Sequence, residues 1–154
     1  MRKLFPVLAA VLAIAGTARA AEVRATPEDA EELVKTAVSY VKKNGNDKAY
    51  KEFQNKNGPF IYRDLYVMVY DMNAKCLAHG ADPSRVGKDW IDQKDADGKA
   101  FMRERVEIAK AKGKGIQEYA YKNPATGKVE PKVVYFEKLG DVVVSAGAYK
   151  TAVK

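Results

Sequence analysis

The sequence is short of the residues that staple or metallate small domains: one cysteine, one histidine and one tryptophan in 154 residues. A lone cysteine excludes an internal disulfide framework, and one Cys with one His excludes zinc-finger and haem-attachment spacings. No G-x-S-x-G nucleophile motif occurs. No repeat, low-complexity tract or interdomain linker breaks the chain, and beyond the first twenty residues no apolar run approaches the roughly 20 residues needed to cross a bilayer. What is present suits a folded domain. Apolar residues make up 47% and aromatics 10%, enough to bury a core, and the length fits one domain at roughly 100–200 residues each.

Residues 1–20 read as an export signal. Arg2 and Lys3 form a charged start, Leu4 to Gly16 an apolar stretch, and Ala18-Arg19-Ala20 a small-x-small cleavage site. The formal charge of +7 is inflated by this segment, which carries three bases and no acid, so the mature charge is +4, ordinary for a small soluble domain. The expected product, residues 21–154, is periplasmic or secreted, with no membrane insertion after signal cleavage. Nucleic acid is not an expected partner there. Cys76, without a mate, is expected to be buried.

Thr26-Pro27-Glu28-Asp29 has the marks of a helix start: a capping hydroxyl, an early proline and acids at the positive end of the dipole. Ala30, Leu33, Val34, Ala37, Val38 and Val41 recur at helical spacing, and Gly45 fits a left-handed stop. A short second helix follows, with Ala49, Tyr50 and Phe53 inward, ending before Asn57-Gly58-Pro59. From Phe60 the period changes to two. Tyr66, Met68 and Tyr70 face one side and Val67 and Val69 the other, so this strand is covered on both faces. After the turn Asp71–Ala74, Cys76–His79 returns as a strand. A long polar connection, Gly80 to Gly98, holds Trp90. Asp97 is placed to cap a third helix, with Phe101, Met102, Val106 and Ala109 inward and Gly113 as its stop. Ile116–Tyr121, Lys132–Glu137 and Val142–Tyr149 read as three further strands. The order predicts an α+β domain with an antiparallel sheet of about five strands.

Several of these runs, in order, resemble the single Cache domains of bacterial extracytoplasmic sensors. They are Tyr66-Val-Met-Val-Tyr-Asp71, Leu77-Ala-His-Gly80, Pro83, Val86-Gly-Lys88, Lys94–Lys99, Tyr119-Ala-Tyr121, Asn123–Gly127, Pro131-Lys-Val-Val-Tyr135 and Gly147-Ala-Tyr149. The resemblance implies a PAS-like sheet with a long N-terminal helix and a ligand pocket under a roof loop, here Gly80–Gly98. It also implies sensing of a small organic ligand, often a short carboxylate, rather than catalysis. Relatives of this type commonly continue into a membrane helix and a signalling module. Here a membrane-bound sensor kinase or chemoreceptor is the expected partner that reads the bound state.

Candidate pocket residues follow. Tyr119 and Tyr121 share a strand face with Gln117 and supply apolar walls with polar tips. Lys132, flanked by valines, is either an edge-strand gatekeeper or a cation projecting into a cavity, and the matching Pro-Lys-x-x-Tyr position in the resemblance argues for the cavity. There it would pair with a carboxylate. His79, where the roof loop begins, either donates to a bound anion or bonds the loop backbone. Trp90 is either a core plug or part of the lining. Arg63 is either a second ligand cation or a solvated surface residue. Tyr66 belongs with the core, with one of the strand's tyrosines reaching the pocket.

Two other patterns point elsewhere. Asp95-Ala-Asp97-Gly98 with Glu104 approximates a calcium loop, but Gln93 occupies its first position, and a helix-capping turn is simpler. Arg103, Arg105, Lys110, Lys112 and Lys114 form a basic helix end that needs no partner and lacks the aromatic interleaving of a nucleic-acid stripe. No metal, cofactor or catalytic residue is expected. The expected role is sensory capture of a short organic acid. The alternatives are an interaction protein with a vestigial pocket and a small periplasmic enzyme using His79.

Overall fold

The computed structural model describes residues 24–150; the export signal read in residues 1–20 lies outside them. Helix α1 spans Pro27–Asn44 and opens on a capping box in which the Thr26 hydroxyl accepts from the Asp29 amide while the Asp29 carboxylate accepts from the Thr26 amide. Its buried stripe is the one the spacing predicts: Ala30, Leu33, Val34, Ala37, Val38 and Val41. Gly45 ends it at φ 81°, ψ 164°, a glycine-only region rather than the left-handed helical stop expected. Helix α2, Asn46–Phe53, follows at once and buries Ala49 and Phe53.

The expected strand from Phe60 is interrupted. Arg63 takes a positive φ of 55°, which folds β1 (Ile61–Tyr62) back on β2 (Leu65–Tyr66) as a small hairpin. The main sheet then begins with β3 (Met68–Asp71) and β4 (Cys76–His79) and continues with β5 (Lys114–Lys122), β6 (Val129–Leu139) and β7 (Val142–Tyr149). Its five strands are antiparallel in the order β4-β3-β7-β6-β5. This is the predicted α+β architecture, with α1 lying across β6 and β7.

The two faces of the sheet differ in chemistry. Beneath α1 and α2 the core is aliphatic and aromatic, with Val67, Val69, Val144, Ala146 and Ala148 from the sheet. The opposite face carries Tyr66, Met68, Tyr70, Tyr119, Val134 and Phe136, and is covered by the roof connection and by α3 (Phe101–Lys112). Helix α3 starts after Ala100, with no side-chain cap. Asp97 is not its cap, because Asp95 organises that turn instead. One Asp95 oxygen accepts from the Asp97 and Lys99 amides and the other from the Ala120 amide of β5. Gly113 does stop the helix in the left-handed region, φ 77°, ψ −18°. Cys76 is fully buried, and burial pushes its thiol up to about 11. Among the described residues no helix is long and apolar enough to cross a membrane, and no cluster of three His, Cys, Asp or Glu side chains is placed to hold a metal ion.

Candidate functional site

Alternation on β6 puts Lys132 on the same side as Val134 and Phe136, facing α3 and the roof. The gatekeeper alternative therefore fails, since the residue is 1% exposed. Its Nζ donates to the Tyr66 hydroxyl at 2.8 Å and lies 4.5 Å from the Tyr66 ring centre and 4.7 Å from that of Tyr149. No salt bridge joins it to any acid among the described residues. Burial, with the fields of Arg105 and Arg85, holds its ammonium down to about 7, while Asp64 pushes the other way. Room for this side chain comes from β7. A Cβ on Gly147 would stand 2.8 Å from Lys132 Cε.

Arg85 and Arg105 escaped the sequence reading, and both aim into this face. Arg105 was assigned to a basic helix end that needs no partner, yet it is 1% exposed. Its guanidinium donates to Gln117 Oε1 (3.3 Å) and the Tyr119 hydroxyl (3.1 Å), and its Nη1 is buried without a hydrogen-bond partner. Arg85, from the short 3₁₀ turn Pro83–Arg85 of the roof, is 9% exposed and donates to the Tyr121 hydroxyl and Gln93 Oε1. Its Nε is likewise buried without a partner. Helical spacing held a signal for Arg105, which falls in the inward stripe Phe101, Met102, Val106, Ala109. Nothing local marked Arg85.

The structure brings Tyr66, His79 and Tyr121 together with Arg85 around a cleft of about 360 Å³ beneath the roof. His79 is 4% exposed and packs on Tyr66 with ring centres 5.1 Å apart and planes tilted by 34°. Its Nδ1 accepts from the Asp82 amide at 2.9 Å, the loop-backbone role, which leaves Nε2 to carry the proton of the neutral ring. Burial and the fields of Arg85 and Lys132 hold that ring down to about 3, against Asp82. Tyr119 lies deeper, stacked on Phe101 at 4.0 Å. Trp90 stands behind Arg85 rather than on the cleft wall: the guanidinium carbon is 3.7 Å from its ring centre, and its Nε1 donates to the Arg85 carbonyl. Arg63 lies apart from the other cations, exposed, with its guanidinium donating to the Arg24 carbonyl and 3.9 Å from Asp29. It borders a second cleft of about 270 Å³ that also touches Tyr66.

Chemically, this face carries three buried basic side chains and several tyrosine hydroxyls, and among the described residues none of the three bases forms a salt bridge with an acid. Cations buried without an ion-pair partner are electrostatically costly, and Arg85 Nε and Arg105 Nη1 on this face are buried donors without hydrogen-bond partners. Both clefts lie near the lower end of ligand-pocket volumes, roughly 300–1,000 Å³, which suits a ligand of a few heavy atoms.

Comparison with known proteins agrees with this architecture. The family model for Single Cache domain 2 matches residues 8–153. A solved Cache chemosensory domain, described for its recognition of carboxylic acids, superposes with a TM-score of 0.71 at 22% identity, over 80% of this chain and 92% of its own. A methyl-accepting chemotaxis protein from Vibrio parahaemolyticus gives a TM-score of 0.69 at 23% identity, over 79% and 86%. The periplasmic sensor domain of a chemotaxis protein gives 0.63 at 21%, over 81% and 90%.

Proposed function

The chain belongs to the Single Cache domain 2 family, and from that premise we propose that it is an extracytoplasmic sensory domain that binds a short organic acid. The observation that carries the ligand class is the trio Lys132, Arg85 and Arg105, buried together with two guanidinium nitrogens lacking acceptors. A carboxylate supplies both the missing charge and the missing acceptors. Its oxygens meet Arg85 and the Nε2 proton of His79 at the cleft, and displacement of the Tyr66 hydroxyl opens the way to Lys132. Tyr121 and Tyr66 form the walls, and the small volume limits the acid to about two to four carbons. The carboxylic-acid recognition described for the similarly folded chemosensory domain supports this reading.

Residues 1–20 act in this proposal as the export signal, and residues 21–154 as the sensing domain. Ordering of the roof segment around Arg85 is the change a membrane-bound sensor kinase or chemoreceptor reads. Nothing in the geometry pairs His79 with a nucleophile, so we read the chain as a binding module and not an enzyme.

A calorimetric and thermal-shift screen of two- to four-carbon carboxylates tests the assignment. At one hundred times Kd a ligand stabilises by about 2.7 kcal/mol, a shift of several degrees for a domain of this size. Lys132→Ala is expected to abolish the shift while the protein stays folded. A second reading rests on the Lys132–Tyr66 bond itself, since a pocket closed by its own side chains suits a vestigial site. If no acid shifts the protein and the purified domain still binds a sensor kinase or chemoreceptor, that reading replaces the first.

A further inference from the structure

The two clefts adjoin as neighbouring lobes, with Tyr66, Ala81, Asn123 and Pro124 lining both. Their linings differ. The lobe of about 360 Å³ holds His79 and the buried Arg85, with Asp82 and Lys122. The lobe of about 270 Å³ holds Asp64, with the exposed Lys56 and Arg63. One Asp64 oxygen, Oδ1, accepts from the Ala25 amide at 2.8 Å and so anchors the chain just before α1. The other, Oδ2, is buried and has no hydrogen-bond partner. A buried carboxylate oxygen without a donor is as anomalous as the unpartnered Nε of Arg85, which lines the other lobe. The neighbouring Arg63 does not supply that donor, because its guanidinium turns to the Arg24 carbonyl and Asp29. The field of Asp64 nevertheless reaches Lys132, so the acid and the cation cluster lie within electrostatic range of each other.

One ligand can satisfy both ends. We propose that the two lobes together select carboxylic acids bearing a hydrogen-bond donor, a hydroxyl or an ammonium, at the end remote from the carboxylate, and that Asp64 is the residue that selects them. The proposal rests on the carboxylate reading above and adds the substrate class. The carboxylate lies in the Arg85 lobe, the chain passes Tyr66, and the donor reaches Asp64 Oδ2. A second carboxylate at that end meets Asp64 as a like charge, which the exposed, solvent-screened Lys56 and Arg63 offset only in part, and is disfavoured. An unsubstituted alkyl end leaves the oxygen unpartnered and gains nothing from it.

The test uses matched probes on the full mature chain: butyrate, 4-hydroxybutyrate, 4-aminobutyrate and succinate, with the three-carbon set propionate, 3-hydroxypropionate and 3-aminopropionate. Affinities are measured by calorimetry on wild type and on Asp64→Asn, which keeps a carbonyl oxygen for the Ala25 amide. In wild type at least one donor-bearing acid is expected to bind roughly tenfold tighter than its unsubstituted partner, as one charge-assisted hydrogen bond allows, with succinate weakest. In Asp64→Asn the ammonium advantage over the unsubstituted acid is expected to vanish and succinate to gain on it, each ratio being taken within the variant because loss of the Asp64 charge also acts on Lys132. Equal wild-type affinity within each set overturns the inference but leaves the carboxylate reading standing. An unchanged ranking in Asp64→Asn also overturns it. Failure of every acid to bind overturns the carboxylate reading and this inference with it. Should Asp64→Asn not fold, the wild-type ranking alone decides.

Discussion

Lys132 on β6 and Tyr66 on β2, 66 residues apart in sequence, are joined by a buried hydrogen bond of 2.8 Å from ammonium to hydroxyl. The bond gives the amine one acceptor and two aromatic faces but no counter-charge. Tyr66 also lines both lobes, so the side chain that caps Lys132 borders the space proposed for the ligand. In the proposed binding mode a carboxylate displaces the tyrosine hydroxyl, gives the ammonium a stronger partner and frees a residue packed against His79. Ligand capture and movement of the roof would then be a single event.

Ligand affinity should fall as pH rises above neutrality. Free Lys132 titrates near 7, held down by burial and by Arg105 and Arg85, with Asp64 opposing and Tyr66, Tyr149 and His79 in contact or in range. A bound carboxylate favours the ammonium and raises that value, so binding takes up a proton between the two values. Apparent affinity is expected to drop by up to about tenfold per pH unit from about pH 7 toward pH 9. Calorimetry in buffers of different ionisation heat reads the proton directly. Lys132→Met should bind more weakly and lose the slope, and a flat profile in wild type would show that Lys132 does not meet the acid.

Gly147 is predicted to be intolerant of a single methyl. A Cβ there would meet the Val133 carbonyl at 3.0 Å and Lys132 Cε at 2.8 Å, and would also strike a Val134 methyl. Backbone and β-branched neighbours yield little, so Gly147→Ala should cost about 1–3 kcal/mol by overpacking. It should also push the Lys132 stem from its seat. Urea melts report the first effect and ligand affinity the second. Full affinity in Gly147→Ala would mean that Lys132 reaches the ligand by another path.

Much of this arrangement was legible in the sequence. The period-two alternation of Tyr66–Tyr70 against Val67–Val69 assigned both faces of that stretch correctly, whereas the residues alone left Lys132 open between gatekeeper and cavity, and only the resemblance at Pro131-Lys-Val-Val-Tyr135 favoured the cavity. The hairpin at Arg63 was not legible, because it depends on a positive φ at a non-glycine residue, for which the sequence offers no cue. Arg85 and Arg105 were missed for a general reason. An arginine on a loop or helix is ordinarily a solvated residue, and only tertiary packing shows which ones turn inward. Trp90 was read as plug or lining. Its stacking on Arg85 comes from the roof folding back against the start of β4 through the Lys75–Asp89 bridge.

Stability should decline in acid in two separable stages. Burial and two neighbouring cations hold His79 near 3 in the folded chain, against an ordinary 6.5. The unfolded state therefore binds the extra proton first, and stability is lost as pH falls from about 6.5 toward 3. Hydrogen bonding from Arg24 holds Glu130 near 2 against 4.5, so its share is lost from about 4.5 toward 2. Denaturant melts across pH should show both stages. His79→Leu should remove the upper one and cost about 1 kcal/mol at neutral pH through the Asp82 amide left without its acceptor. Persistence of the upper stage in that variant would assign it to another group.

Trp90 is predicted to act on the ligand through Arg85. The indole lies 3.7 Å from the guanidinium carbon and its Nε1 holds the Arg85 carbonyl at 3.2 Å, so the ring fixes both the head and the base of that arginine. Tyr121 and Gln93 accept from two other guanidinium nitrogens, which leaves Nε free to meet an anion. Removing the ring in Trp90→Leu forfeits a cation–π contact of about 0.5–2 kcal/mol and releases Arg85 to several rotamers, so carboxylate affinity should fall roughly three- to tenfold. A purely structural tryptophan would lower the melting temperature without touching affinity. The two roles separate in a double-mutant cycle with Arg85→Met. If Trp90 works by positioning, its loss should weaken binding in wild type and do almost nothing once Arg85 is gone. Additive losses in the cycle would place the tryptophan in direct contact with the ligand instead.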